Sequence, residues 1–131
     1  MRVQSFRESH VWQRAIELTV AVYALTKAMP RDELFGLTCQ IRRAAVSIPS
    51  NIAEGQSRGS KKEFRHFLAT ARGSNAEVQT QLVLIRALGF SSHESIAVCE
   101  LLALEVARML NGLMATLRDS PALPTTNSQL S

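Results

Sequence analysis

The sequence is poor in the residues that usually announce chemistry. Its 131 residues include two cysteines, three histidines, one tryptophan and one tyrosine, and aromatics make up 5% of the chain. Two cysteines allow one bridge at most, but a single domain of this length can bury a core without disulfide or metal staples. Cys39 and Cys99 each fall within an apolar helical pattern, so reduced thiols of a cytoplasmic protein are expected rather than a bridge. The opening "MRVQSFRESH" lacks an apolar h-region, so no signal peptide is expected. Glu100, Glu105 and Arg108 interrupt the most apolar stretch, leaving no run that could span a membrane. There is no alternating strand pattern, no internal repeat and no glycine-rich phosphate loop. No Ser/His/Asp set can be ordered either, so neither an enzymatic activity nor a cofactor is expected.

Helical periodicity is what the chain has in abundance. Val11, Ala15, Leu18, Val22, Leu25 and Met29 alternate steps of four and three, the spacing of a buried stripe. Trp12, Ile16, Thr19 and Tyr23 form a second stripe beside it. The first helix is placed at about 9–28 and closed by Pro30. Asp32 and Glu33 suit the first turn of a second helix at about 31–54, where the dipole favours negative charge. Ser60 and Glu63 form a capping box for a third helix at about 60–88, which ends at Gly89. Ser91 and Glu94 repeat the box for a fourth at about 92–118. The remainder, 119–131, is short, polar and proline-containing, and reads as a disordered tail. Helices of roughly 30 to 45 Å joined by short loops predict an all-α, antiparallel up-down-up-down four-helix bundle.

Pro49 tests this reading. It removes a backbone N–H and clashes with the carbonyl four residues back, at about 3 kcal/mol in a helix interior. Yet Leu37, Ile41, Ala44, Ile48 and Ile52 hold one face across it, and each large buried side chain is worth about 1.5–3 kcal/mol. One second helix, kinked at Pro49, is therefore expected, with Ser47, Ser50 and Asn51 available for freed backbone groups.

The stretches "GLTCQIRRAAVSIPSNIAEG" and "EFRHFLATARGSNAEVQTQL", with "VWQRAIEL" and "ALGF", resemble the small bacterial four helix bundle protein family. Its members include proteins encoded in intervening sequences of large-subunit ribosomal RNA genes, and accessory variability proteins of diversity-generating retroelements are related to them. The resemblance covers about residues 5–118. Phe35 stands where that family usually has tyrosine, and Asn75 where it tends to have leucine. The resemblance implies a homopentamer without enzymatic activity. It also implies, through the retroelement relatives, a basic surface for nucleic acid and a reverse transcriptase.

Charge points the same way. The chain carries a net +4, and residues 40–75 hold Arg42, Arg43, Arg58, Lys61, Lys62, Arg65 and Arg72 against only Glu54 and Glu63. Lys62, Arg65 and Arg72 recur near one helical face, and Arg58 and Lys61 extend the patch into the preceding loop. Arg43 shares a polar stripe with Gln40, Ser47 and Ser50, free to face a ligand. These six residues, Arg43, Arg58, Lys61, Lys62, Arg65 and Arg72, are the candidate contacts for RNA or DNA. A solvated helix face is the alternative, and repetition in an oligomer raises the weight of binding. Phe64 and Phe67 read as core, so contacts to the phosphate backbone are expected rather than base reading. Arg42 lies nearer the apolar face and is expected to pair with an acidic group at a subunit interface.

Glu63 and His66 make one E-x-x-H motif, but a di-iron bundle needs two and further glutamates, so no metal is expected. The fourth helix has apolar residues around most of its circumference, including Val98, Leu101, Leu104, Met109 and Leu113. One bundle buries a single stripe, so a homo-oligomer using helices 1 and 4 is expected. An assembly scaffold or adaptor for a protein such as a reverse transcriptase is the second reading.

Overall fold

The computed structural model describes residues 5–118. The expected disordered tail at 119–131 lies outside the described residues. Four α-helices form, and no strand occurs among the described residues: α1 His10–Thr26, α2 Leu37–Gln56, α3 Lys61–Leu88 and α4 His93–Thr116. Short 3₁₀ turns at Phe6–Glu8 and Arg31–Glu33 precede α1 and α2.

The helix ends follow from local chemistry. Ser9, Ser60 and Ser92 cap α1, α3 and α4, each hydroxyl accepting an N–H three residues on. The cap of α4 is thus Ser92 and not Ser91, and Glu94 sits in the first turn without completing the expected box. Gly89 closes α3 at φ 70°, a left-handed conformation that glycine adopts without strain. The start of α2 differs more. Asp32 and Glu33 stay in the 3₁₀ turn, and α2 begins after Gly36. Glu33 still serves the helix from outside, because its Oε1 accepts the Leu37 N–H at 3.1 Å. At its far end α2 runs unbroken through Pro49 to Gln56.

The core is one cluster assembled from the predicted stripes. Val11, Ala15, Leu18, Val22, Leu25 and Met29 are all buried, as are Ile41, Ala44, Ile48 and Ile52. They meet Leu68, Ala71, Val78, Leu82 and Ile85 of α3 and Ile96, Cys99, Ala103, Val106 and Leu110 of α4. The second stripe of α1 is covered only in part: Trp12, Ile16 and Thr19 are half-buried and Tyr23 is exposed. The Thr19 hydroxyl reaches the Ala45 carbonyl at 3.1 Å, and Arg42 lies 4.5 Å over the Tyr23 ring.

Hydrogen bonds trace the direction of neighbours. From Arg65 through Arg72 and Asn75 to Arg86 along α3, the partners on α4 run back from Leu117 through Asn111 and Ala103 to Glu100. Thr19, Thr26 and Met29 of the first helical segment likewise meet Ala45, Arg42 and Thr38 in reverse order. The α2–α3 pair approaches closely at Gly55. A Cβ there would lie 2.7 Å from Phe67 Cβ and 3.1 Å from Phe64 Cδ1. Gly55 is therefore inside α2 as a packing glycine, not past its end.

Candidate nucleic-acid interface

The loop between α2 and α3 makes a sharp return through Gly59, at φ 82°, and delivers two lysines onto the first turn of α3. Lys61 and Lys62 are exposed. Neither makes an ion pair or side-chain hydrogen bond among the described residues. Their ammonium groups stand where α3 also presents the positive end of its dipole, so an anion arriving there meets several favourable terms at once.

The flanking arginines are more committed. Arg58 is held by Glu54 at 2.8 Å and Glu63 at 3.8 Å, and its guanidinium lies 4.9 Å above the Phe67 ring. Two carboxylates offset much of its charge. Arg65 donates to the Leu117 carbonyl at 3.3 Å, at the negative end of α4. Arg72 donates to Asn111 Oδ1 at 3.1 Å. Arg65 and Arg72 bind neutral groups, so each keeps its full charge.

The structure gathers Arg58, Lys61, Lys62 and Arg65 at one end of the bundle, with Arg72 roughly 15 Å along α3. It does not bring Arg43 to them. Arg43 lies roughly 20 Å back along α2, in a polar cleft of about 380 Å³ with Gln40, Ser47, Ser74, Glu77 and Gln81. The cleft is floored by a Ser47–Ser74 hydroxyl pair at 2.8 Å, and Gln81 Oε1 is buried without a partner. Periodicity placed Arg43 on a polar face correctly but could not say which end of the bundle that face would serve. Arg42 also differs from expectation. Its Nε donates to Thr26 Oγ1 at 2.8 Å and its plane covers Tyr23, so it pins α1 to α2 within one chain.

His66 is exposed and meets Phe67 edge-on at 5.4 Å, while Glu63 turns towards Arg58. Among the described residues no group of three or more His, Cys, Asp or Glu side chains is placed to hold a metal. No helix among them is long and apolar enough to cross a membrane. Both cysteines are free thiols.

Two grooves were not legible in the sequence. One, of about 640 Å³, opens at the end of the bundle that carries the lysines; Val11, Phe64, Met109, Gly112 and Leu113 line it, with Ser9 and His10 at the rim. Phe64 is therefore half-buried on a groove wall rather than sealed in the core. The other, of about 620 Å³, lies between Tyr23, Leu34, Phe35, Cys39 and Val46, beside a Phe35 ring that is 91% exposed. Each groove needs residues from loops or different helices, which no single periodic stripe reveals.

The outer surface of α4 is less apolar than its composition implies. Most of its large residues are buried or packed against the core, leaving Val98, Leu101 and Leu104 exposed, with Val83 of α3 beside Leu104.

Residues 7–112 match the 23S rRNA-intervening sequence protein family. The chain belongs to that family. The match takes in all of α1, α2 and α3 and most of α4, so it describes the bundle as a whole and singles out no part of the basic end. No curated protein matches the sequence.

Proposed function

We propose that this 23S rRNA-intervening sequence protein is a non-enzymatic, cytoplasmic, oligomeric module that binds nucleic acid through the basic end of α3. The observation that carries the reading is the Lys61–Lys62 pair, exposed and unpaired on a capped helix start, with Arg65 beside it. Lysines without carboxylate partners are the groups that gain most from a phosphate, since nothing must be broken to release them. Arg58 and Arg72 take secondary parts, and Arg43 contributes only where a strand runs along α2. Binding of this kind follows charge and backbone rather than sequence. In an oligomer the patch repeats, and several weak contacts on one strand add up.

The test replaces Lys61, Lys62 and Arg65 by glutamine. Helicity is expected to be unchanged, while low-salt retention of RNA and DNA is lost. Wild-type protein that shows no salt-dependent binding overturns the reading.

A second reading, an assembly scaffold for a protein partner such as a reverse transcriptase, draws on the exposed Phe35 ring next to its apolar groove. A partner that co-purifies after nuclease treatment and is lost in Phe35→Ser favours it.

A further inference from the structure

The groove at the basic end has a composition that a phosphate-binding surface alone does not call for. Val11, Phe64, Met109 and Leu113 make its apolar lining, beside the polar Glu8, Ser9, His10 and Gln56. Lys61 precedes Phe64 by three residues on α3, so the two side chains share a helix face. Arg65 follows Phe64 and reaches Leu117, one turn beyond Leu113. An apolar slot with an aromatic wall thus adjoins cations that suit a sugar-phosphate chain. Ser9 and His10 at the slot's rim can donate to or accept from a base edge.

We propose that this groove receives one unstacked nucleobase of a single strand whose phosphates lie on Lys61, Lys62 and Arg65. The proposal rests on the nucleic-acid reading above and adds a preference for single strands over duplex. A duplex keeps its bases stacked and paired, so it meets the lysines but leaves the slot empty. A single strand gains contact of a base face with Phe64 and the Met109 thioether. The volume of about 640 Å³ exceeds what one base needs, so the slot accepts purines and pyrimidines alike and imposes no sequence.

Gly112 offers a clean way to close the slot. It lies in α4, and a Cβ built on it meets nothing within 4 Å. Gly112→Met fills the groove mouth from a helical position where methionine is better tolerated than glycine. The experiment measures fluorescence anisotropy at low salt with labelled single-stranded RNA, single-stranded DNA, duplex DNA and a baseless spacer strand of equal phosphate count. Wild type is expected to bind the natural single strands about tenfold more tightly than the baseless strand. Gly112→Met removes that difference and leaves baseless-strand binding as it was, whereas Lys61→Gln with Lys62→Gln weakens every probe. Equal binding of natural and baseless strands by the wild type overturns the groove proposal and leaves the phosphate patch standing. Absence of binding to all probes overturns the patch and the groove together. A change of sedimentation in Gly112→Met makes the groove a contact between copies and also overturns the proposal.

Discussion

The Thr19 hydroxyl donates to the Ala45 carbonyl at 3.1 Å, and Ala45 is the residue whose helical N–H partner Pro49 removes. The same hydroxyl also lies 2.8 Å from the Ala15 carbonyl, so one hydrogen is shared between α1's own backbone and the gap in α2. A side chain from the neighbouring helix thus serves the oxygen that the proline strands. Burial of Ile48, Pro49 and Ile52 completes the compensation. This predicts coupling. Thr19→Val should destabilise the fold by about 1–2 kcal/mol, since it leaves a carbonyl without a donor. In a Pro49→Ala background the restored N–H takes that carbonyl, and Thr19→Val should cost distinctly less. Urea unfolding of the two single variants and the double variant measures the difference directly. Equal costs in both backgrounds would show that the contact is incidental.

Gly55 answers to a different constraint. A Cβ on it would lie 2.7 Å from Phe67 Cβ, 3.1 Å from Phe64 Cδ1 and 3.3 Å from the Phe64 carbonyl oxygen. Gly55→Ala gains helix propensity of about 1 kcal/mol but forces α2 and α3 apart. Overpacking of this kind costs about 1–3 kcal/mol, and the clash involves a Cβ and a backbone oxygen that cannot swing away. Net destabilisation is expected, with a lower urea midpoint. By contrast, Gly73→Ala, where the added Cβ meets nothing within 4 Å, should be neutral or stabilising.

These two positions show what was readable in advance. The 3.6-residue stripes specified the buried faces of α1 and α2, because core burial is periodic, whereas on α4 apolar residues around most of the circumference hid which face would turn inward. The continuity of α2 through Pro49 followed from the same stripe. Its means of support did not, because Thr19 lies on another helix and nothing local distinguishes it from other threonines. Gly55 lies just past the end expected for the second helix at 54, since a glycine after a helical run looks the same whether it caps or packs. At the candidate site, clustering of charge in the sequence grouped Lys61, Lys62 and Arg65, which the fold places at one end of the bundle. It also included Arg43, because linear density ignores the distance along a helix, and it missed the end groove, which four separated segments create.

Asn75 is buried to 1% exposure in the α3–α4 interface. Its Nδ2 donates to the Ala103 carbonyl at 2.9 Å, while its Oδ1 is buried without a partner. The Ala103 carbonyl lies inside α4 and loses little if that donor goes. An unpaired buried acceptor costs about 1–3 kcal/mol. Asn75→Leu should therefore raise the urea midpoint, whereas Asn75→Ala, which leaves a cavity, should lower it. A loss of stability in both would mean that the Ala103 bond outweighs the orphaned oxygen.

Cys99 is fully buried, and its thiol is pushed up from the ordinary 9.0 to about 11, first by burial and then by the Glu100 charge. The unfolded chain releases this proton near pH 9 while the folded chain retains it. The stabilising contribution is thus full below about pH 9 and is lost as pH rises towards 11. Cys99→Ala should flatten the corresponding part of the stability profile without changing its shape below pH 8. A thiol reagent at neutral pH should label the half-buried Cys39 and reach Cys99 only on unfolding.

Assembly is the remaining question the surface raises. Val98, Leu101 and Leu104 are 52%, 67% and 49% exposed on α4, and Val83 on α3 is 60% exposed. Val20 is the counterpart on α1, at 63%. Singly, such residues are ordinary; the α4 group is contiguous, since 98, 101 and 104 follow one another at helical steps of three and Val83 lines a pocket with Leu104. None of them touches the basic end, where Lys61 and Lys62 stand. If this face is the subunit contact, Leu101→Glu with Leu104→Glu should yield a monomer in sedimentation velocity while circular dichroism stays helical. Replacing Lys61 and Lys62 by glutamate should leave the assembly as large as the wild type. The double leucine variant should also bind nucleic acid more weakly than wild type although its lysines are untouched, because separated patches lose the gain from repetition. A wild-type monomer at micromolar concentration would remove both the interface and the multivalent part of the binding argument, leaving only the affinity of a single patch.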